Sequence, residues 1–513
     1  MVADLILRNL RAVTFAPECA APELIAIKGN KIIYAGTNEA LGQMKGPHTR
    51  ELDCAGGIVI PGFNDAHCHP LAFAITLRYV DCSPAQVSCI ADIQAALRDK
   101  AGGVPRGQWV RGANYDAAAL AEKRPPNRWE LDQAVPHLPV VLVERSGQQC
   151  VLNSSALERC GISERVAESG ASKLGRYPAT GKLDGVVSGN NELVAKAIPP
   201  LSEQEIDAGL RLASAEYLSH GITSVQDTSW SNGYRHWAAM KGFKDRGVLA
   251  PRLTLFAGFD AVEEFVLRGL KTGSGDDQMR LGAAKIALDE STGNPRPSQE
   301  DLNRAALEAH LAGFQLAFHV SDVYALETSM RALEFIRKCS PVEPIRPRFE
   351  HCPVCPPALL PALAKSGAIV VAQPNLLYTT GPHYLQEVTQ EQLKWVFPFR
   401  SFLEHGISLA FSSDSPLTPC DPLRAIHTAV TRMVEGGAML SIDESISVAD
   451  ALRMYTYAGA YASLEERTKG RIAVGKLADL AVLSGDPRQM TAEEPFDGKV
   501  VVTLIDGKVA WES

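Results

Sequence analysis

Residues 61–70 read PGFNDAHCHP, an apolar approach that ends in two histidines, His67 and His69, one residue apart. In an extended chain successive side chains alternate faces, so both imidazoles point the same way and Cys68 points away. Two ring nitrogens on one face can reach a single metal ion, and the Pro-Gly turn before them and Pro70 after them mark where the strand stops. An isolated His-x-His is commonly a pair of incidental loop residues. What decides its meaning here is the rest of the chain.

Seven further short apolar runs recur downstream: GITSVQD from Gly221, RLTLFAG from Arg252, LGAAKIALD from Leu281, FQLAFHV from Phe314, PRFEHC from Pro347, AIVVAQP from Ala368 and ISLAFSSD from Ile407. With GGIVIPGF ahead of His67 they make eight, and helical patterns such as SQEDLNRAALEAHLAG and SVADALRMYTYAGAYAS separate most of them. Eight strands alternating with helices predict an α/β fold, a (β/α)8 TIM barrel over 61–465, whose functional groups gather at the C-terminal ends of the strands. Alternating segments at both ends, with turns at Gly29-Asn30 and Asp506-Gly507, predict a β-sandwich domain built from 1–60 plus 466–513. The distance from His69 to the second run is far longer than a βα unit needs. An α/β subdomain inserted at 85–200, after strand 1 and over the barrel mouth, is expected there.

The 513 residues carry 51 Lys plus Arg against 59 Asp plus Glu, a formal net charge of -8, with no basic cluster. This argues against nucleic acid and anionic membranes as partners and leaves a small molecule as the expected one. The apolar fraction of 46% is enough for a large core. Asp4, Arg8 and Arg11 interrupt the apolar N-terminal pattern, no long apolar run follows, and the 11 cysteines show no framework spacing, so a cytoplasmic protein is expected. Cys352 and Cys355 form a C-x-x-C without a second pair and read as buried small residues. A homodimer is compatible with all of this.

His319 ends the fifth run and His351 the sixth, which puts two more imidazoles at rim positions equivalent to those of His67 and His69. The other histidines, His48, His137, His220, His236, His310, His383, His405 and His427, fall in expected loops or helices and read as structural or exposed. Asp414 closes the eighth run, where a carboxylate can ligate a metal and take a proton from water, or simply cap the turn. Lys285 sits amid apolar neighbours. Burying an unpaired ammonium is costly, so this residue either pairs with an acid or is chemically modified. Trp109, Tyr115 and Trp129 in the insertion, with Gln373 and Asn375 after the seventh strand, suit an aromatic and amide-lined pocket and suit core positions equally well.

The set PGFNDAHCH, LNSSAL, GITSVQD, KIALD, RFEHC, VVAQP, FSSDSP and GKLADLAVL, in this order and spacing over nearly the whole chain, resembles the amidohydrolase superfamily. The similarity is strongest to amidohydrolase family three, the branch of the N-substituted formamide deformylases. The resemblance implies that His67, His69, Lys285, His319, His351 and Asp414 are metal ligands, with Lys285 carboxylated to bridge two ions. It further implies hydrolysis of an amide, N-formyl or related C-N bond by metal-activated water, with Asp414 as the catalytic proton carrier. Four imidazoles with oxygen ligands suit two zinc ions, and manganese or iron would also be accommodated. Three departures bear on substrate. Gln148 stands where relatives carry a histidine, HVSDVYAL displaces the usual acid to Asp322 and lacks the arginine, and Asp289-Glu290 replaces Asp-Gly. An iron-dependent oxygenase or lyase-type enzyme on the same scaffold stays open as the alternative reaction, and a silent binding protein is disfavoured by retention of all six ligand positions.

Overall fold

The computed structural model describes residues 2–19, 21–145, 147–164, 172–189, 192–288, 297–491 and 496–513. Asp289 and Glu290 lie outside the described residues. The chain divides into two compact units, Met1–Pro70 with Ala213–Ser513, and Leu71–Leu212.

The first unit holds an eight-stranded parallel sheet in sequence order. Its strands are β1 (Phe63–Cys68), β2 (Ile222–Asp227), β3 (Arg252–Gly258), β4 (Met279–Ile286), β5 (Leu316–Val320), β6 (Arg348–His351), β7 (Ile369–Ala372) and β8 (Ser408–Phe411). Helices follow most of them, among them Gln299–Leu311 after β4 and Val323–Cys339 after β5. The TIM-barrel order expected from the eight runs is therefore present.

One boundary differs from the sequence reading. The run GGIVIPGF divides at Gly62: Ile58–Pro61 joins a different sheet, and the barrel strand starts at Phe63. At the division the chain passes close to β2, since a Cβ on Gly62 would lie 2.2 Å from Thr223 Oγ1. The chain thus passes against β2 at a point where no side chain fits.

Where β8 meets β1, side chains stitch the seam. The Ser413 amide and hydroxyl donate to Asp65 (2.8 and 2.5 Å), and the Asp414 amide donates to the His67 carbonyl (2.8 Å). Burial raises the Asp65 carboxyl to about 7 against the pull of the Ser413 hydrogen bonds, and the nearby charge of Asp414 adds to the rise.

Strands from both ends of the chain form two further sheets in this unit. One runs Lys31–Gly36, Leu24–Lys28, Leu5–Arg8, Arg50–Asp53, and the other Arg11–Ala12, Ile58–Pro61, Leu480–Leu483, Val500–Ile505, Lys508–Glu512. Leu7, Ile25 and Ile27 of the first share an apolar core with Val59, Leu480, Val482 and Leu504 of the second. Buried Arg252, at the start of β3, is paired with Asp479 and Asp506, so the acids of GKLADL and of the Asp506-Gly507 turn anchor the C-terminal strands to the barrel.

The second unit is built on a six-stranded sheet, in the order Ser172–Arg176, Leu183–Gly189, Gln149–Leu152, Val140–Glu144, Val110–Tyr115, Val80–Asp81. The expected insertion at 85–200 falls inside it. Asn153 of the LNSSAL motif is fully buried there. It accepts from the amides of Val140 and Ala156 and donates to the carbonyls of Val135 and Leu138, capping the helix Ser154–Arg159. No described helix is long and apolar enough to cross a membrane.

Gly62→Ala is expected to lower stability by about 1–3 kcal/mol through overpacking against Thr223. Thermal denaturation measures this, and an unchanged midpoint would contradict the close approach of Gly62 to β2.

Candidate metal centre

His67 and His69 leave the end of β1 on one face, with ring centroids 5.4 Å apart, while Cys68 turns away toward the Gln226 carbonyl (3.5 Å). His67 is 1% exposed. Its Nδ1 lies 2.6 Å from Glu350 Oε2, an acceptor, so Nδ1 carries the proton and the Nε2 lone pair is left facing Asp414 Oδ1, 3.6 Å away. His69, on the more open side with a side chain 27% exposed, repeats the arrangement. Its Nδ1 donates to Ser229 Oγ (2.8 Å), whose own proton goes to Asp227 Oδ1 (2.7 Å), and its Nε2 lies 3.1 Å from Asp414 Oδ1. Ligand atoms of His67, His69 and Asp414 all fall within 4.8 Å of one another.

The second half of the site comes from β4 to β6. His351 Nδ1 lies 3.0 Å from Gln373 Oε1 and 3.7 Å from Asp414 Oδ2, and its Nε2 is 3.1 Å from His319 Nδ1. Gln373 is itself held by donating to Ser412 Oγ (3.0 Å) and the Val371 carbonyl (3.2 Å). Lys285, on β4, is buried, and among the described residues its Nζ has no hydrogen-bond partner.

Two ligand candidates occupy left-handed backbone, His351 at φ 75° and Asp414 at φ 59°. Non-glycine residues take this conformation at a cost, and such residues cluster at functional sites. His351 directly follows Glu350, and both side chains meet His67, Glu350 at 2.6 Å from Nδ1 and His351 ring to ring at 4.6 Å.

Sequence patterning did not single out Glu350. The structure shows it accepting from Arg348 (Nε–Oε1 2.7 Å, Nη2–Oε2 3.2 Å) as well as from His67. Arg348, also fully buried, reaches Gln226 Oε1 (2.5 Å) and the Ala66 carbonyl (2.7 Å). Gln226 in turn donates to Asn64 Oδ1 and the Gly459 carbonyl (both 2.9 Å). The only advance signal for Glu350 was an acid next to a candidate ligand in RFEHC.

Burial holds the His67 and His351 imidazoles well below their ordinary range. It pushes His319 down to about 4, with the positive charge of Lys285 adding to the shift. Burial also lowers the Lys285 amine to about 8, against the charges of Glu350 and Asp414 and with that of Arg348. These three imidazoles are neutral donors of lone pairs at neutral pH, beside a carboxylate and a buried, unpartnered amine. That donor set fits a divalent metal.

The remaining sequence candidates are distributed as follows. Asn375 donates to the carbonyls of Pro419 and Asp421. Within the second unit, Trp109 lies in one apolar core and Tyr115 in another, with its hydroxyl donating to Gln149 Oε1 (3.1 Å). Gln148 is exposed, and Trp129 meets Tyr177 edge-on at 5.5 Å. Asp322 caps the helix Val323–Cys339 through the Ala325 amide (2.7 Å). Beside Lys285 a cavity of about 500 Å³ opens in the first unit, lined in part by Trp230, Phe259, Asp260, Ile286 and Arg304. Trp230, which follows the His69 partner Ser229, is 65% exposed. Its signal in the sequence was an aromatic residue just past a strand end.

An eight-stranded parallel barrel with imidazoles, a lysine and an aspartate at its strand ends defines the fold and site of a metal-dependent hydrolase. Residues 50–510 match the model of the amidohydrolase family, and the chain belongs to that family. It is 29% identical to the N-substituted formamide deformylase of Arthrobacter pascens, over 98% of this chain and 97% of that one. Among solved structures it is similar to an uncharacterized metal-dependent hydrolase from Pyrococcus horikoshii OT3, with a TM-score of 0.76, 21% identity and coverage of 96% and 99%. It is also similar to the zinc-complexed atrazine chlorohydrolase TrzN of Arthrobacter aurescens TC1, with a TM-score of 0.55, 16% identity and coverage of 99% and 95%.

Glu350→Gln removes the charge that orients His67 and neutralises Arg348. Metal affinity is expected to fall about 10–100-fold, and stability by about 3–5 kcal/mol as Arg348 loses its partner. Chelator competition reads the first, and unchanged affinity would show that Glu350 does not position the ligand.

Proposed function

We propose that the protein hydrolyses an amide, N-formyl or related C-N bond of a small molecule. The observation that carries this reading is the convergence of three neutral imidazoles, His69 and Lys285 around Asp414, whose carboxylate lies 3.1 to 3.7 Å from three of the rings. His67, His69, His319, His351 and Asp414 would hold the metal, with Lys285 as a further ligand once carboxylated. When bound, a divalent ion, with zinc the best match to this donor set, supplies the Lewis acidity that makes water nucleophilic near neutral pH and polarises a carbonyl.

The other roles belong to the chain. Lys285, lowered to about 8, has neutral amine available to add to carbon dioxide, which forms a carbamate and releases a proton. That change replaces a buried ammonium by an anion and gives the orphaned nitrogen a function. Asp414 takes the proton from the attacking water and returns it to the leaving nitrogen, while its left-handed backbone and the amide bond to the His67 carbonyl fix its position. Glu350, Ser229 and Gln373 keep the rings of His67, His69 and His351 turned toward the reacting centre. The cavity beside Lys285, with the exposed face of Trp230, takes the substituent carried by the substrate nitrogen. The name of the Arthrobacter pascens relative supports an N-substituted formamide as the first substrate to try.

The test uses a panel of N-substituted formamides with amine and formate release as the readout. Asp414→Asn is expected to lower kcat about 10²–10⁴-fold with metal still bound. Full activity in that variant would remove Asp414 as the proton carrier, and two irons per chain with oxygen consumption would overturn hydrolysis. Trp230→Ala is expected to raise KM about tenfold, a loss of about 1.4 kcal/mol, with kcat little changed. An unaltered KM across the panel would place the substituent elsewhere.

A further inference from the structure

A second group of metal-ligating side chains lies apart from the centre described above. Glu216 is in the last turn of the helix Glu203–Ser219, and His220 follows one turn later, so the two side chains share a face. Across from them is Cys420, in the segment that follows Asp414. One ligand atom from each of Glu216, His220 and Cys420 falls within 4.8 Å of the others. The His220 ring is held between two carboxylates, with Nε2 3.3 Å from Glu216 Oε1 and Nδ1 3.8 Å from Asp421 Oδ1.

Three features separate this cluster from an ordinary surface ion pair. Cys420 is 2% exposed, and among the described residues its thiol makes no hydrogen bond to another residue. Among the described residues no lysine or arginine pairs with Glu216 or Asp421, so two carboxylates face a thiol with a single imidazole between them. The edge bearing Glu216 and His220 is partly exposed, which leaves a way in for an ion and room for a water ligand.

We propose that Glu216, His220 and Cys420 form a second zinc site. Sulfur, imidazole nitrogen and carboxylate oxygen are all donor types that zinc takes, and three protein ligands leave the fourth tetrahedral position open to water. His220 ligates through Nε2, and its Nδ1–H donates to Asp421, the carboxylate–imidazole–metal arrangement that fixes ring orientation. On coordination the Cys420 thiol loses its proton to solvent and binds as thiolate, which offsets the burial and the Glu216 charge that otherwise hold that proton in place. The site ties the segment after Asp414 to the helix that leads into β2. It braces the catalytic loop without touching the reacting atoms.

Cobalt substitution tests this with a signal that the first centre cannot give, because none of that centre's ligands is sulfur. The chelator-stripped full chain is loaded with Co(II). The expected result is a near-ultraviolet thiolate-to-cobalt charge-transfer band that is lost in Cys420→Ser. Bound cobalt should fall by one ion per chain in Cys420→Ser and in Glu216→Gln, a substitution on the partly exposed edge that leaves the fold intact if the buried change does not. Absence of the band in the wild-type chain, its persistence in Cys420→Ser, or undiminished cobalt in Glu216→Gln would each overturn the proposal. None of these readouts depends on catalysis, so failure here leaves the hydrolytic reading untouched, and the converse also holds.

Discussion

The site rests on one buried carboxylate. Glu350 is shared between the guanidinium of Arg348 and the imidazole of His67, and neither the acid nor the base would be tolerated in the barrel interior alone. Each satisfies the other, and the arrangement fixes which nitrogen of His67 bears the proton. Through Arg348 the same network reaches Gln226 and Asn64, so β6, whose ladders run to β5 and β7, is tied to β1 and β2 by hydrogen bonds inside the barrel. A barrel interior filled by apolar layers would pack as well, but it would not hold a histidine in a single tautomer. Polar filling here costs desolvation, and its return is a rigid ligand.

The same device recurs around the rim. Ser229 backed by Asp227 turns His69, and Gln373 backed by Ser412 turns His351, so three imidazoles each have a neighbour that accepts from Nδ1. Asp414 sits among them at a left-handed position held by the β8–β1 seam. Closing the barrel also fixes this carboxylate, since the backbone amide of Asp414 is one of those that bridge the seam. The proposed chemistry rests on this frame, and the proposed substrate contact, Trp230, lies outside it.

What could be read in the chain follows from period and position. As candidates, His67, His69, His319, His351 and Asp414 were legible because strand runs mark their own C-terminal ends, and Lys285 because burying an ammonium is costly. Glu350 was not, because alternation assigns it to the face opposite His351, whereas both side chains meet His67. The start of β1 differs because IVIP and FNDAHC form one apolar stretch in the sequence, while their pairing partners, Leu480–Leu483 for the first and Ile222–Asp227 for the second, lie far along the chain. Trp109 and Tyr115 fitted pocket or core equally, and the cores of their own unit claim them. His220 reads in the sequence as structural or exposed, because Cys420 and Asp421, unlike Glu216 one turn before it, meet it only in three dimensions.

The central claim is that the strand-end groups hold metal as one centre. It is tested most directly by anomalous diffraction from crystals of the purified protein, recorded on either side of the metal absorption edge. The account predicts anomalous density bonded to His67, His69 and Asp414, with adjoining density reaching His319, His351 and an enlarged Lys285 side chain. Crystals of protein with measured metal content that show no anomalous density among these residues would contradict it.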